Sequence, residues 1–256
     1  MNPKVGIVEW CLAESGPRAI EAAKAHGLSC IQLNFTRDYE IGNYRRKILS
    51  ASDSTGVSIS AIAINILNEY KLLDISSCDF DQPHKLFSLA LNSAIELKVK
   101  HIFIPSFYTG KISTKEDIIQ ISLFYKWACS LALKHNIMVS TENNLPVDKA
   151  MYLYNLVNKV NFRFIFDPYN YVVENIDPHD IYGRLGYIFH DQVHIKSGNV
   201  NKGGTRPLNN VFFNLKNVVL NVSRDSIFYL ENKYHVIGYD YIQDDIDWLL
   251  GTLGAH

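Results

Sequence analysis

Short apolar runs recur along the chain, with gaps between them long enough to hold a helix. They fall at 4–10 (KVGIVEW), 30–35 (CIQLNF), 58–67 (SISAIAINIL), 101–107 (HIFIPSF), 137–144 (IMVSTENN), 162–170 (FRFIFDPYN), 191–198 (DQVHIKSG) and 227–234 (IFYLENKY). Most are continuous rather than alternating, which is the pattern of parallel strands buried on both faces. The stretches between them carry apolar residues at three- and four-residue spacing. Pro17 opens PRAIEAAKAHG, which closes on Gly27; proline in the first turn and glycine after the last mark a helix. Further helices are predicted over 84–100, 114–136, 147–160, 178–189 and 239–253, the second of these with Thr114 and Asp117 spaced as a capping start. The seventh helix is the weakest, because 199–217 begins as a glycine- and asparagine-rich loop and only VFFNLKN (211–217) reads as helical. Eight strand–helix alternations predict an α/β fold, a (β/α)8 TIM barrel, and no linker, repeat or low-complexity stretch divides the chain, so one domain over 1–256 is expected.

Composition narrows the class without naming a chemistry. The 256 residues are 47% hydrophobic and 20% charged, with a formal net charge of −1. That supports a sizeable core and argues against disorder or a nucleic-acid footprint spread over the surface. Cys11, Cys30, Cys78 and Cys129 show neither CxxC pairing nor zinc-ribbon spacing, so they read as reduced thiols of a cytoplasmic protein, with Cys30 and Cys129 in the core. The N-terminus runs straight into a strand, and no segment has the length and apolarity of a signal peptide or membrane span.

The chemistry is carried by four strand ends. Runs five to eight each lead β-branched and aromatic residues into one metal-type side chain: Glu142, Asp167, His194 and Glu231. A buried strand end is a costly place for a charge unless it has a partner or a metal. Alone, each has a plainer reading as helix cap, turn starter or core histidine. Together they suggest one site at the C-terminal mouth of the barrel, where such enzymes keep their chemistry. Carboxylates with one imidazole suit a divalent cation such as Mn, Mg, Co or Zn. Lys196 shares the strand parity of His194, so it should face inward one layer higher and reach substrate oxygen or phosphate. The remaining histidines read as structural: His101 at the stability face, His26 and His135 at helix ends, His84 within a helix, His179 at a helix start, His190 before its strand, His235 at the surface and His256 terminal.

With these residues in hand, the chain resembles the xylose isomerase-like TIM barrels, the superfamily of sugar isomerases, ketose 3-epimerases, inosose dehydratases and endonuclease IV. STENN, FDPYN, VHIKSG and YLENK are similar to that family's strand ends. The resemblance implies one divalent metal on Glu142, Asp167, His194 and Glu231, with Glu142 and Glu231 as acid and base. A proton moved beside a carbonyl needs a base on one face of the carbon and an acid on the other, with the metal polarising the carbonyl. It also implies substrate contacts from Lys196, Arg206 in the long loop after His194, Asn170 and Trp10. The sequence departs from the family pattern at Asn170, where histidine is common, at Ser197, where aspartate is common, and at Gln32 and Asn34 on the second strand, where many relatives carry a glutamate. The first-half histidines of endonuclease IV are missing.

The resulting expectation is a metal-dependent isomerase or epimerase of a small sugar or sugar phosphate. The alternative is a metal-dependent dehydratase of a cyclic hydroxyketone of the inosose or 3-dehydroshikimate type. A repair endonuclease would need a basic stripe at the barrel mouth, and a binding protein would keep the pocket without turnover. The expected partner is a small molecule, with no nucleic acid or membrane and with a homo-oligomer open. The long 65–83 connection suggests a lid or a dimer contact.

Overall fold

The computed structural model describes residues 4–70, 81–199, 202–211 and 213–254. Cys78, His256 and residues 71–80 of the 65–83 connection lie outside the described residues. The eight barrel strands are β1 Lys4–Val8, β2 Cys30–Asn34, β3 Ser58–Ala63, β4 His101–Pro105, β5 Met138–Glu142, β6 Phe162–Phe166, β7 Phe189–Ile195 and β8 Ile227–Leu230. Each pairs in parallel with its sequence neighbours, and β8 pairs with β1, which closes a single (β/α)8 barrel. The eight apolar runs therefore correspond one to one with the barrel strands.

The helices ring this barrel. They are α1 Pro17–Ala25, α2 Gly42–Thr55, α3 Asp81–Glu96, α4 Lys115–Leu133, α5 Val147–Val157, α6 Pro168–Val172, α7 Pro178–Leu185, α8 Leu215–Asn221, α9 Tyr234–Ile237 and α10 Asp240–Leu253. The predicted start of α4 is a reciprocal capping box: Asp117 N donates to Thr114 Oγ1 at 3.1 Å, and Thr114 N donates to Asp117 Oδ2 at 2.7 Å. α5 stops at Asn158, which takes a left-handed conformation (φ 45°), rather than running on to 160. The seventh helix starts later than predicted, at Leu215, because Asn214 caps it by accepting from Asn217 N at 3.2 Å.

The predicted strands are too long at their C-terminal ends. β1 gives way to a 3-10 turn at Glu9–Cys11, and β3 to another at Asn65–Glu69. β6 breaks at Asp167, where Pro168 removes a backbone donor and opens α6. Glu9, Asn65 and Asp167 thus lie past the ends of the ladder, whereas Glu142 and His194 stay within it. β7 instead begins two residues earlier than predicted and includes His190.

Inside the barrel, Gly6 on β1 faces the Tyr229 ring on β8. A Cβ on Gly6 would meet Tyr229 Cε1 at 2.5 Å, so only glycine leaves room for that ring. At the N-terminal end His101 is buried, with Nε2 2.8 Å from Ser140 Oγ and its ring stacked on His190 at 3.9 Å. Cys11, Cys30 and Cys129 are free and buried. His235 is exposed, with Nδ1 3.1 Å from Cys11 O. No helix among the described residues is long and apolar enough to cross a membrane.

Candidate metal centre and active site

Strand register and parity bring Glu142, Asp167, His194 and Glu231 together. One donor atom from each lies within 4.8 Å of the others. His194 Nδ1 stands 3.5 Å from Glu142 Oε2 and 3.3 Å from Glu231 Oε2. Lys196, on the same face of the chain two residues on, reaches Asp167 Oδ2 at 2.7 Å and Glu231 Oε2 at 3.0 Å. Its ammonium is therefore engaged inside the carboxylate cluster, next to the Tyr169 ring at 5.9 Å.

The three carboxylates share one arrangement. Each has one oxygen tied by a neutral donor and the other turned to the centre. Trp10 Nε1 donates to Glu231 Oε1 at 3.0 Å. Asn170 Nδ2 donates to Glu142 Oε1 at 2.8 Å. Asp167 Oδ1 caps α6, accepting from Tyr169 N at 2.9 Å and Asn170 N at 3.4 Å. Neutral donors fix a carboxylate's direction without cancelling its charge.

The electrostatics follow from three anions in a buried site. Burial, with Glu231 and Glu142 nearby, pushes the Asp167 carboxyl up to about 7 against the opposing pull of Lys196. Burial works to lower the His194 imidazole, but the two glutamates outweigh it and raise the group to about 10. Burial opposes ionisation of Glu231, yet Lys196 and His194 hold its carboxyl well below the usual range. Burial likewise opposes the Lys196 charge, and Asp167, Glu231 and Glu142 together override it. Without a cation, the Lys196 ammonium and the protonated His194 ring offset the carboxylates; a divalent cation would take over that role at His194 and displace its Nδ1 proton. His194 Nδ1 is buried, forms no hydrogen bond and faces the two glutamates. The donor set, with Nδ1 turned to the two glutamates, fits a divalent cation held by Glu142, Asp167, His194 and Glu231.

Arg206 is half-buried in the segment after Gly204. That segment is tied to the Glu231 loop by Lys233 N donating to Gly204 O at 2.7 Å, and a Cβ on Gly204 would lie 3.0 Å from Glu231 O. Asn232 and Asp245 brace the same region. Asn232 Oδ1 accepts Ser197 N at 2.8 Å, and Asp245 accepts Leu208 N at 2.6 Å, Asn232 Nδ2 at 2.7 Å and Tyr234 OH at 2.8 Å.

No family model matches the chain. Over 203 residues it is 32% identical to 2-epi-5-epi-valiolone 7-phosphate 2-epimerase from Actinoplanes sp., a match covering 77% of this chain and 74% of that relative. The chain belongs to the xylose isomerase-like TIM-barrel sugar phosphate isomerases and epimerases. It is an enzyme, and its relatives are sugar epimerases and isomerases. The barrel of this family member is also similar to two solved structures. One is the probable 3-DHS dehydratase of petrobactin synthesis from Bacillus anthracis, with a TM-score of 0.74, 18% identity and 98% of each chain covered. The other is the IOLI protein with a bound zinc atom, with a TM-score of 0.73, 13% identity and 98% of this chain and 95% of that one covered.

Sequence reasoning missed part of this family member's site. Gln192 stands two residues before His194, and strand parity alone would have placed it inside the barrel. Gln32 stood out only as a departure from the family pattern, and it touches His194, with Oε1 2.8 Å from Nε2.

Proposed function

We propose that the chain is a one-domain, divalent-metal-dependent epimerase of a sugar phosphate or a similar phosphorylated polyol. Glu142, Asp167, His194 and Glu231 would hold the metal, with manganese, magnesium, cobalt and zinc all compatible with the donor set. Once bound, the cation would supply Lewis-acid polarisation of a substrate carbonyl. The single observation that carries the reading is the shared arrangement of the carboxylates, each steered by a neutral donor toward one centre. The 32% identity to 2-epi-5-epi-valiolone 7-phosphate 2-epimerase points the substrate class in the same direction.

In this reading Glu142 and Glu231 are the acid–base pair. One carboxylate takes the proton from the carbon beside the carbonyl, and the other, in its acid form, returns a proton to the opposite face. Nothing is oxidised or lost, and one stereocentre inverts. Asn170 and Trp10 aim these two side chains and line the same mouth, so they also meet substrate. Lys196 shares the Asp167 and Glu231 oxygens and is placed to take a substrate oxygen. Arg206, in the braced loop, is assigned the anionic end of the substrate. The buried thiols fit a reducing compartment, and we place the enzyme in the cytoplasm.

The test is metal quantification together with incubation in deuterated water with manganese and a panel of ketose and cyclitol phosphates. Deuterium should enter the carbon beside the carbonyl, and Glu142→Gln and Glu231→Gln should abolish this exchange. No bound metal under any condition would sink the proposal. The likeness to a dehydratase keeps a second outcome in view: proton abstraction followed by net loss of water from a cyclic hydroxyketone.

A further inference from the structure

A one-way chain of hydrogen bonds crosses the barrel interior and ends on His194. It starts at a β-bulge in β3. Ile31 pairs with Ile59 and Gln32 with Ala61, which leaves Ser60 out of the register with its hydroxyl donating to Ile31 O at 2.9 Å. The Ser60 carbonyl accepts Gln192 Nε2 at 3.2 Å. A carbonyl can only accept, so Gln192 turns its amide nitrogen to Ser60 and its oxygen away. That oxygen accepts Gln32 Nε2 at 2.8 Å. Gln32 is then left with Oε1 facing His194 Nε2 at 2.8 Å. An amide oxygen needs a donor, so Nε2 keeps its hydrogen in the neutral ring, and Nδ1 is the nitrogen that offers the lone pair when a cation is bound.

We propose that Gln32 and Gln192 are positioning residues that decide which ring nitrogen of His194 serves the metal centre. The inference rests on the metal-centre reading above. Reversing Gln32 would point its amide hydrogens at Nε2 and move the ring hydrogen to Nδ1, against the cation. Reversing Gln192 as well would set its oxygen against the Ser60 carbonyl. Gln32, Gln192 and His194 are at most 5% exposed, so water cannot readily repair either fault. A backbone carbonyl freed by a bulge thus fixes the tautomer of a side chain two amides away. Outer partners of this kind commonly set metal affinity.

The test compares wild type with Gln32→Met, Gln192→Met and Gln32→Glu. Zinc and manganese affinities are measured by calorimetry, and the His194 Nε2 proton is followed by NMR of protein labelled at histidine nitrogen, with and without zinc. His194→Asn assigns the signal, and thermal melting checks folding. Both methionine variants should bind zinc roughly 10- to 100-fold more weakly and exchange the Nε2 proton fast. Gln32→Glu keeps an acceptor for that proton, so it should retain the signal and bind within a few-fold of wild type. Methionine variants that bind as tightly as wild type would overturn the proposal, as would a Gln32→Glu loss equal to that of Gln32→Met. If wild type binds no divalent ion, the metal-centre reading fails, and the proton signal decides the relay alone. Slow exchange in wild type and fast exchange in Gln32→Met would support it, and equal exchange would refute it. Should the methionine variants not fold, a wild-type Nε2 that carries no hydrogen also refutes it.

Discussion

Trp10 and Glu231 are far apart in sequence and joined by a hydrogen bond of 3.0 Å from the indole nitrogen to Oε1. The closure of β8 on β1 makes this possible, since Ile7 pairs with Leu230 just below. The bond holds one oxygen of Glu231 so that the other faces His194 and Lys196.

Trp10→Phe keeps most of the apolar contact with Phe103 and His194 but removes the donor. It should leave the melting temperature nearly unchanged and lower metal affinity or exchange rate by roughly 10- to 100-fold. Calorimetry and deuterium wash-in check both. An unaffected variant would mean that Glu231 needs no steering.

Metal removal should lower stability, because the carboxylates of Glu142, Asp167 and Glu231 face only the Lys196 ammonium and the His194 ring. Binding at about 100 times the dissociation constant stabilises by about 2.7 kcal/mol. For a chain of this size that is a rise in melting temperature of about 5–10 °C. Thermal scans with chelator and with manganese read the difference, and Asp167→Asn should blunt it.

His101 sets a pH dependence at the opposite end of the barrel. Burial holds its imidazole well below the usual histidine range, and the nearby His190 adds to this. The unfolded chain therefore takes up a proton before the folded one does. The contribution is present above about pH 6.5 and is lost as pH falls below it, by up to about 1.4 kcal/mol per pH unit. Denaturant midpoints between pH 7 and 5 should fall more steeply in wild type than in His101→Gln.

Asp245→Ala should both destabilise the chain and loosen the loop that carries Arg206. The carboxylate accepts from Leu208 N, Asn232 Nδ2 and Tyr234 OH in a buried setting. Leaving such donors unpaired costs about 1–3 kcal/mol each, so a loss of about 3 kcal/mol or more is expected. Limited trypsin digestion should cut at Lys202 sooner than in wild type.

The sequence by itself determined the barrel and the meeting of Glu142, Asp167, His194 and Glu231 at its mouth. Eight apolar runs, each wide enough for one buried strand, leave few other ways to hide that surface, and parity carries Glu142, His194 and Glu231 to one face. Thr114 with Asp117 marked the α4 start for the same local reason, since a capping box closes within four residues. The strand ends are not legible in the sequence, because its pattern runs on through Asn65 and Asp167, where the chain has already turned. What only the tertiary structure decided are contacts between distant strands. Trp10 meets Glu231, Gln192 meets Gln32, and Ser60, displaced by a bulge, anchors the Gln192 amide. Local pattern sets which face a residue takes. Which donor meets which acceptor across the barrel depends on closure and register, which no single segment encodes.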